Sequence, residues 1–279
     1  MPKSAPRFSW RLVAIVALLT VFASSCYTTH AVNHETNDPT TRPWWCMSTG
    51  NGGHHVDPAY AAETKGMLNW DDCRRVSAHF DIATAWASQW PTLGDAEADG
   101  WHRMVNYVEG MGTHHARLGT FDPNDDPSFD VDNPLFPGTN IDDTFKAWEP
   151  EFLMYDGNGD DAKLVGFAWY VLGTETVPPE GFAGGNDFWH RHESLCFTNN
   201  NFLVVGEDIS DANCAGRGGT NLDLSRYWMS HAWIIEGWQT KADVFTNHHP
   251  CLHASGPATH GDGDPCWDVA DNGGGHGEH

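Results

Sequence analysis

The chain has 279 residues, 40% of them apolar, enough to bury a core in one large domain or two small ones, so a disordered protein is excluded. Asp and Glu outnumber Lys and Arg by 38 to 15, for a formal charge of −23. Such a surface repels duplex DNA and anionic headgroups and attracts cations, which excludes nucleic acid as a partner.

Lys3, Arg7 and Arg11 precede an apolar run of twelve residues, Leu12 to Ala23. The run is too short to cross a bilayer as a stable helix and reads as the core of a signal peptide spanning 1–25. The alternative is an uncleaved N-terminal membrane anchor. "ASSC" resembles a bacterial lipobox, with Ala23 where Leu or Val is usual. The resemblance implies lipidation of Cys26, export to the cell envelope or beyond, and membrane attachment through the lipid alone. Residues 26–43 are polar and aperiodic and read as a tether; the folded body starts at "RPWWC".

Seven cysteines are present, and assigning Cys26 to lipid leaves six. An even set in an oxidising compartment implies disulfides, and locality favours Cys46 with Cys73, Cys196 with Cys214, and Cys251 with Cys266.

Residues 44–112 read as a helical N-terminal portion. Val76, Phe80, Ala83, Ala87 and Trp90 fall at helical spacing, with Asp71 or Asp72 as a cap and Pro91 as a stop. A second helix is expected through "GDAEADGWHRMVNYV", weakened by Gly100. His79 and His102 would sit on these helices as surface or packing residues. Residues 113–266 change character: "EFLMYD" and "AKLVGFAWYVL" read as strands joined by a "GNGDD" turn, followed by short runs at "FWHRH", "NFLVVG", "HAWIIEG" and "ADVFT". The predicted fold class is α+β, N-terminal helices followed by an antiparallel β-barrel or sandwich. The tail, 267–279, is Gly- and His-rich and is expected to be disordered.

The stretch "GGNDFWHRHESLCF" carries the chemistry. In a strand, residues two apart share a face, so His190 and His192 project side by side, as two imidazoles offered to one metal do. With Gly184 five residues ahead, the spacing resembles the opening motif of the cupins, β-barrels that hold a metal on three histidines and often a glutamate. Cys196 or Phe197 stands where cupins place that glutamate, and the second cupin motif lacks its Pro-x-Gly.

The body is also similar to a group of bacterial secreted proteins sharing "GMG-x-H", "PE-x-L-x-Y-D", "WH-x-H-x-x-LC" and "M-x-H-x-W". The matching pieces are Gly110 to His114, Pro150 to Asp156, Trp189 to Cys196 and Met229 to Trp233. The resemblance implies that His114, His190, His192 and His231 belong together, and it alone selects His114 over His115.

Glu151 is a possible further ligand, and Glu151 or Glu193 a possible acid or base. Cys196 has two readings, a disulfide half or a thiolate ligand. "DGNGDDAKLVGF" fails as a calcium loop, with Asp161 where glycine is needed and Phe167 where Glu is needed. The acidic run Asp122 to Asp132 could hold calcium irregularly, and His248, His249, His253, His260, His276 and His279 could collect loose metal. Nucleophile elbow, Walker loop, dinucleotide fingerprint and His-Glu-x-x-His helix are all absent from the sequence.

The sequence thus predicts an exported, lipid-anchored protein binding one divalent transition metal, copper, zinc, iron or manganese. An open coordination position would make it a metal-dependent oxygenase or hydrolase acting on a small molecule. The alternative is a metal-free binding or scaffold lipoprotein whose aromatic residues contact glycan or protein.

Overall fold

In the computed structural model the periodic apolar positions Val76, Phe80, Ala83 and Ala87 form the buried face of helix α1 (Trp70–Ala87). Asn69 caps it, its Oδ1 accepting from the backbone N–H of Asp71 at 3.0 Å and Asp72 at 2.9 Å. The two aspartates expected as caps lie instead in the first turn, where their charge meets the positive end of the helix dipole. The structure describes Cys46 and residues 68–117, 141–173, 178–184, 187–239, 244–259 and 261–268, all in the unit Trp44–His279. The signal segment, Cys26, the tether, the acidic run 122–132, His260 and the tail beyond Asp268 lie outside the described residues.

The second helix is shorter than its expected span. Helix α2 (Leu93–Ala98) opens on a Thr92/Asp95 capping box and stops before Gly100, whose φ of 86° turns the chain out of the helix. Residues expected to continue it form strand β1 (Trp101–Val108), rich in the aromatic and β-branched types that a pleated surface favours, so His102 is on a strand.

β1 opens an antiparallel five-stranded sheet with β2 (Gly112–Arg117), β3 (Phe152–Tyr155), β4 (Leu164–Leu172) and, after an interval in sequence, β8 (Tyr227–Ala232). The β1–β2 turn is "GMG". Gly110 and Gly112 have φ of 76° and 65°, and a Cβ on Gly112 would lie 2.4 Å from the Tyr155 carbonyl oxygen. Only glycine fits there.

Side-chain alternation gives this sheet two buried faces. Leu153, Tyr155, Phe167, Trp169, Val171 and Trp228 pack with α1 and with Phe182 and Phe245. Phe152, Met154, Ala168, Tyr170, Tyr227 and Met229 pack with Phe197, Phe202 and Leu224. Each such large side chain contributes roughly 1.5–3 kcal/mol by leaving water. The latter three belong to or flank a second antiparallel sheet, β5 (Ser194–Thr198), β6 (Val204–Glu207) and β7 (Gly219–Asp223), with β5 central. The order is therefore helix, five-stranded sheet, three-stranded sheet, around two apolar clusters.

This is an α+β fold with mainly antiparallel strands. The described strands form open sheets of five, three and two strands, the last being β9 (Leu252–His253) with β10 (Gly256–Pro257), and they do not close into a barrel. The cupin-like barrel is thus corrected to layered open sheets, because the "FWHRH" run does not form a regular strand: its one sheet contact is an isolated bridge between His190 and Met229.

All three disulfides pair sequence neighbours. Cys46–Cys73, Cys196–Cys214 and Cys251–Cys266 close intervals of 27, 18 and 15 residues. Cys214 lies on the short helix α3 (Asp211–Gly216), which the bridge fastens to β5. Three disulfides are compatible with an extracellular or periplasmic location. Among the described residues no helix is long and apolar enough to cross a membrane.

Candidate metal centre

Alternation along β2 separates its two adjacent histidines. His115 points toward the helix layer, edge-on to Tyr155 with ring centroids 5.4 Å apart, and its Nε2 lies 3.6 Å from Glu97 Oε1. His114 points to the opposite face, 5.9 Å from the Phe152 ring. His231 of β8 shares that face, since it pairs with Ala168, which pairs with Phe152.

Two strands separate β2 from β8, so on a flat sheet the backbones of His114 and His231 would lie about 14 Å apart. Their Nε2 atoms are 3.2 Å apart. The sheet therefore curls, concave toward the histidines. β4 places its smallest residues, Gly166 and Ala168, on the inside of the curl, and Trp233 lies so close over Gly166 that an added Cβ would come within 2.9 Å of the indole.

His190 joins through its bridge: its N–H donates to Met229 O at 2.9 Å, and the Met229 N–H donates to His190 O at 2.7 Å. Bridge partners point the same way, which turns His190 toward His231, with ring centroids 5.1 Å apart; His192 follows 5.3 Å from His190. The four imidazoles form one continuous cluster, and all are buried, none more than 6% exposed.

Two contacts fix the orientation of the rings. His231 Nδ1–H donates to Asn247 Oδ1 at 2.8 Å, and His192 Nδ1–H donates to Glu207 Oε1 at 2.9 Å. Each bond places a proton on Nδ1, so that the neutral form of the ring carries its lone pair on Nε2, the arrangement that ligating histidines adopt. The loop carrying Asn247 is pinned to the "GMG" turn: His249 N–H donates to Gly110 O at 2.7 Å, and Gly110 N–H donates to Leu252 O at 2.6 Å. His248, half-buried, packs against Gly110.

Burial disfavours the charged form of two of the four rings, His114 and His231. It lowers the pKa of His114 to about 3, with nearby His192 adding to the shift. His231 is also held well below the usual histidine value, first by burial and then by His114 and His248, against the opposing bond to Asn247. Neutral imidazole is the form that binds a metal.

The other candidates lie elsewhere. Glu151 is buried, but its Oε2 accepts from the Tyr170 N–H at 2.9 Å, and its charged neighbours are Asp142 and Lys146. Glu193 is exposed, 3.4 Å from Arg191. The Cys196 sulfur is bonded to Cys214, which removes it as a thiolate ligand. His102 Nε2 lies 2.8 Å from Asn201 O.

His253, Asp264 and Cys266 also bring one donor-type atom each within 4.8 Å of one another. The Cys266 sulfur is already bonded to Cys251, and His253 Nε2–H donates to Asp264 Oδ2 at 2.9 Å. This trio is a hydrogen bond beside a disulfide and offers no thiolate. No three donor nitrogens of the imidazole cluster lie within 4.8 Å of one another, but it is the better metal candidate, because all four rings are buried and His231 and His192 are each hydrogen-bonded from behind.

Asn247 and Glu207 escaped the sequence reading: Asn247 opens "NHHPCLH", read only as loose metal-collecting histidines, and Glu207 ends an ordinary strand. Comparison of the chain with protein-family models, with curated proteins and with solved structures yields no match.

Proposed function

We propose that this is an exported transition-metal protein whose ion is held by His114, His190, His192 and His231. The observation that carries the reading is the His114–His231 pair. Two nitrogens bound to one ion at about 2.0–2.1 Å in tetrahedral geometry lie about 3.3 Å apart. The two Nε2 atoms are separated by 3.2 Å, and Asn247 leaves the His231 Nε2 lone pair facing its partner. His190 and His192 adjoin this pair, and loading turns their rings toward it.

Imidazole donors suit copper, zinc, iron or manganese. An ion held by three of the rings keeps a position open for water, oxygen or a small-molecule substrate, beside the Phe152 and Trp233 rings that adjoin His114 and His231, which is the setting of a metal-dependent oxygenase or hydrolase. The same reading includes lipid attachment at Cys26 as the membrane contact and no nucleic-acid partner.

The test is metal content. The protein purified without an affinity tag and reconstituted with copper, zinc, iron and manganese in turn is expected to retain about one equivalent of one of them, and the His190→Ala/His192→Ala variant none. No retained metal in either would replace this reading with the scaffold one, in which His114 and His231 share an ordinary N–H···N hydrogen bond.

A further inference from the structure

Tyr170 stands on the histidine face of β4 and is 5% exposed. It pairs across the sheet with Met229, which bridges to His190, so Tyr170, Met229 and His190 form one row on that face. On its other side the Tyr170 ring lies 5.6 Å from Phe152, the ring that also touches His114, and two residues back Ala168 is the cross-strand partner of His231. His190 thus shares a row with this phenol, while His114 and His231 are each one intervening residue away, Phe152 and Ala168 respectively.

The Tyr170 hydroxyl is buried and has no hydrogen-bond partner among the described residues. Its ring stacks on Tyr227 at 5.1 Å. A buried hydroxyl left unpaired is costly, and apolar packing alone would be served as well by phenylalanine. Such a group points to a partner that binds in the same space. Burial also raises its pKa well above the ordinary tyrosine value, which keeps it a donor.

We infer that the Tyr170 hydroxyl donates a hydrogen bond to a small oxygen- or nitrogen-donor ligand, of the class of hydroxide or azide, bound at the open position of the histidine-held metal. The inference rests on the metal reading proposed above. It adds that the open position faces β4, and that the protein discriminates ligands able to accept a hydrogen bond from those that cannot.

The experiment is an azide titration of the copper(II)-loaded protein, followed by the azide-to-copper absorption band, in the parent, Tyr170→Phe and Tyr227→Phe. Copper content is expected to be equal in all three. The azide dissociation constant is expected to rise about tenfold or more in Tyr170→Phe, as befits loss of a hydrogen bond to a charged acceptor, and to stay within about twofold in Tyr227→Phe. Thermal denaturation of metal-free Tyr170→Phe is expected to match or exceed the parent, because the unpaired hydroxyl is gone. Equal azide affinity in parent and Tyr170→Phe, or equal weakening in both variants, overturns the inference and leaves the metal reading intact. Copper lost from Tyr170→Phe alone also overturns it, since the phenol would then be a ligand. No copper in the parent fails the metal reading itself.

Discussion

His192 donates its Nδ1–H to Glu207 across 2.9 Å, and this bond ties the three-stranded sheet to the histidine cluster on the five-stranded one. Asn247 does the same for His231 from the loop 244–250. Neither partner faces the proposed ion. Each holds the Nδ1 side of a ring whose Nε2 is a proposed ligand.

Removing these partners is therefore expected to weaken metal binding without abolishing it. Glu207→Ala and Asn247→Ala should each lower metal affinity about 10–100-fold. Competition against a chromophoric chelator reads the change. Unchanged affinity in both variants would mean that the rings need no support from behind.

Metal should stabilise the fold. A ligand that binds only the native state adds about 2.7 kcal/mol at a hundredfold excess over its dissociation constant. The parent is expected to melt at higher temperature with metal and to return to its metal-free midpoint with chelator, while His190→Ala/His192→Ala shows no shift. Calorimetry on both proteins checks this.

The fold should weaken in acid, and His115 offers a way to apportion the loss. Burial first, and then the neighbouring Arg103, His114 and His102, lower its pKa from 6.5 to about 3. Between those values only the unfolded chain takes up the proton. Its contribution is full above pH 6.5 and is lost as the pH falls toward about 3. At pH 4.5, two units below the unfolded value, the loss is roughly 2–3 kcal/mol at about 1.4 kcal/mol per unit. Urea denaturation with chelator present, at pH 7 and 4.5, should show a smaller acid loss in His115→Phe than in the parent by about that amount. An equal loss would contradict the assignment.

The Cys196–Cys214 bridge closes an 18-residue interval and fastens α3 to β5. Cys196→Ser/Cys214→Ser is expected to cost about 3 kcal/mol of stability, the loop-entropy value for an interval of this size. It should leave the metal stoichiometry at one. Loss of metal from the folded variant would return Cys196 to the list of ligands.

How much of this was legible in the sequence depends on the range of the interactions. Helix α1, strands β3 and β4 and the three disulfides are set by local periodicity, turn chemistry and sequence proximity, and each followed from neighbouring residues. The second helix was over-extended because Gly100 reverses the backbone in a way that the polar run before it does not announce. The barrel expectation failed because His190 and His192 sit on an irregular segment joined to the sheet by a single bridge. That His114 approaches His231 follows from the curl of the sheet over Gly166 and Ala168, a tertiary property that no local pattern encodes. Asn247 and Glu207 were unreadable for the same reason, being 16 and 15 residues from the histidines they hold.

X-ray absorption at the edge of the bound metal tests the central claim most directly. The account predicts three or four imidazole nitrogens at about 2.0–2.1 Å and no sulfur in the coordination sphere. A sulfur scatterer at about 2.3 Å, or a shell of oxygen alone, would contradict it.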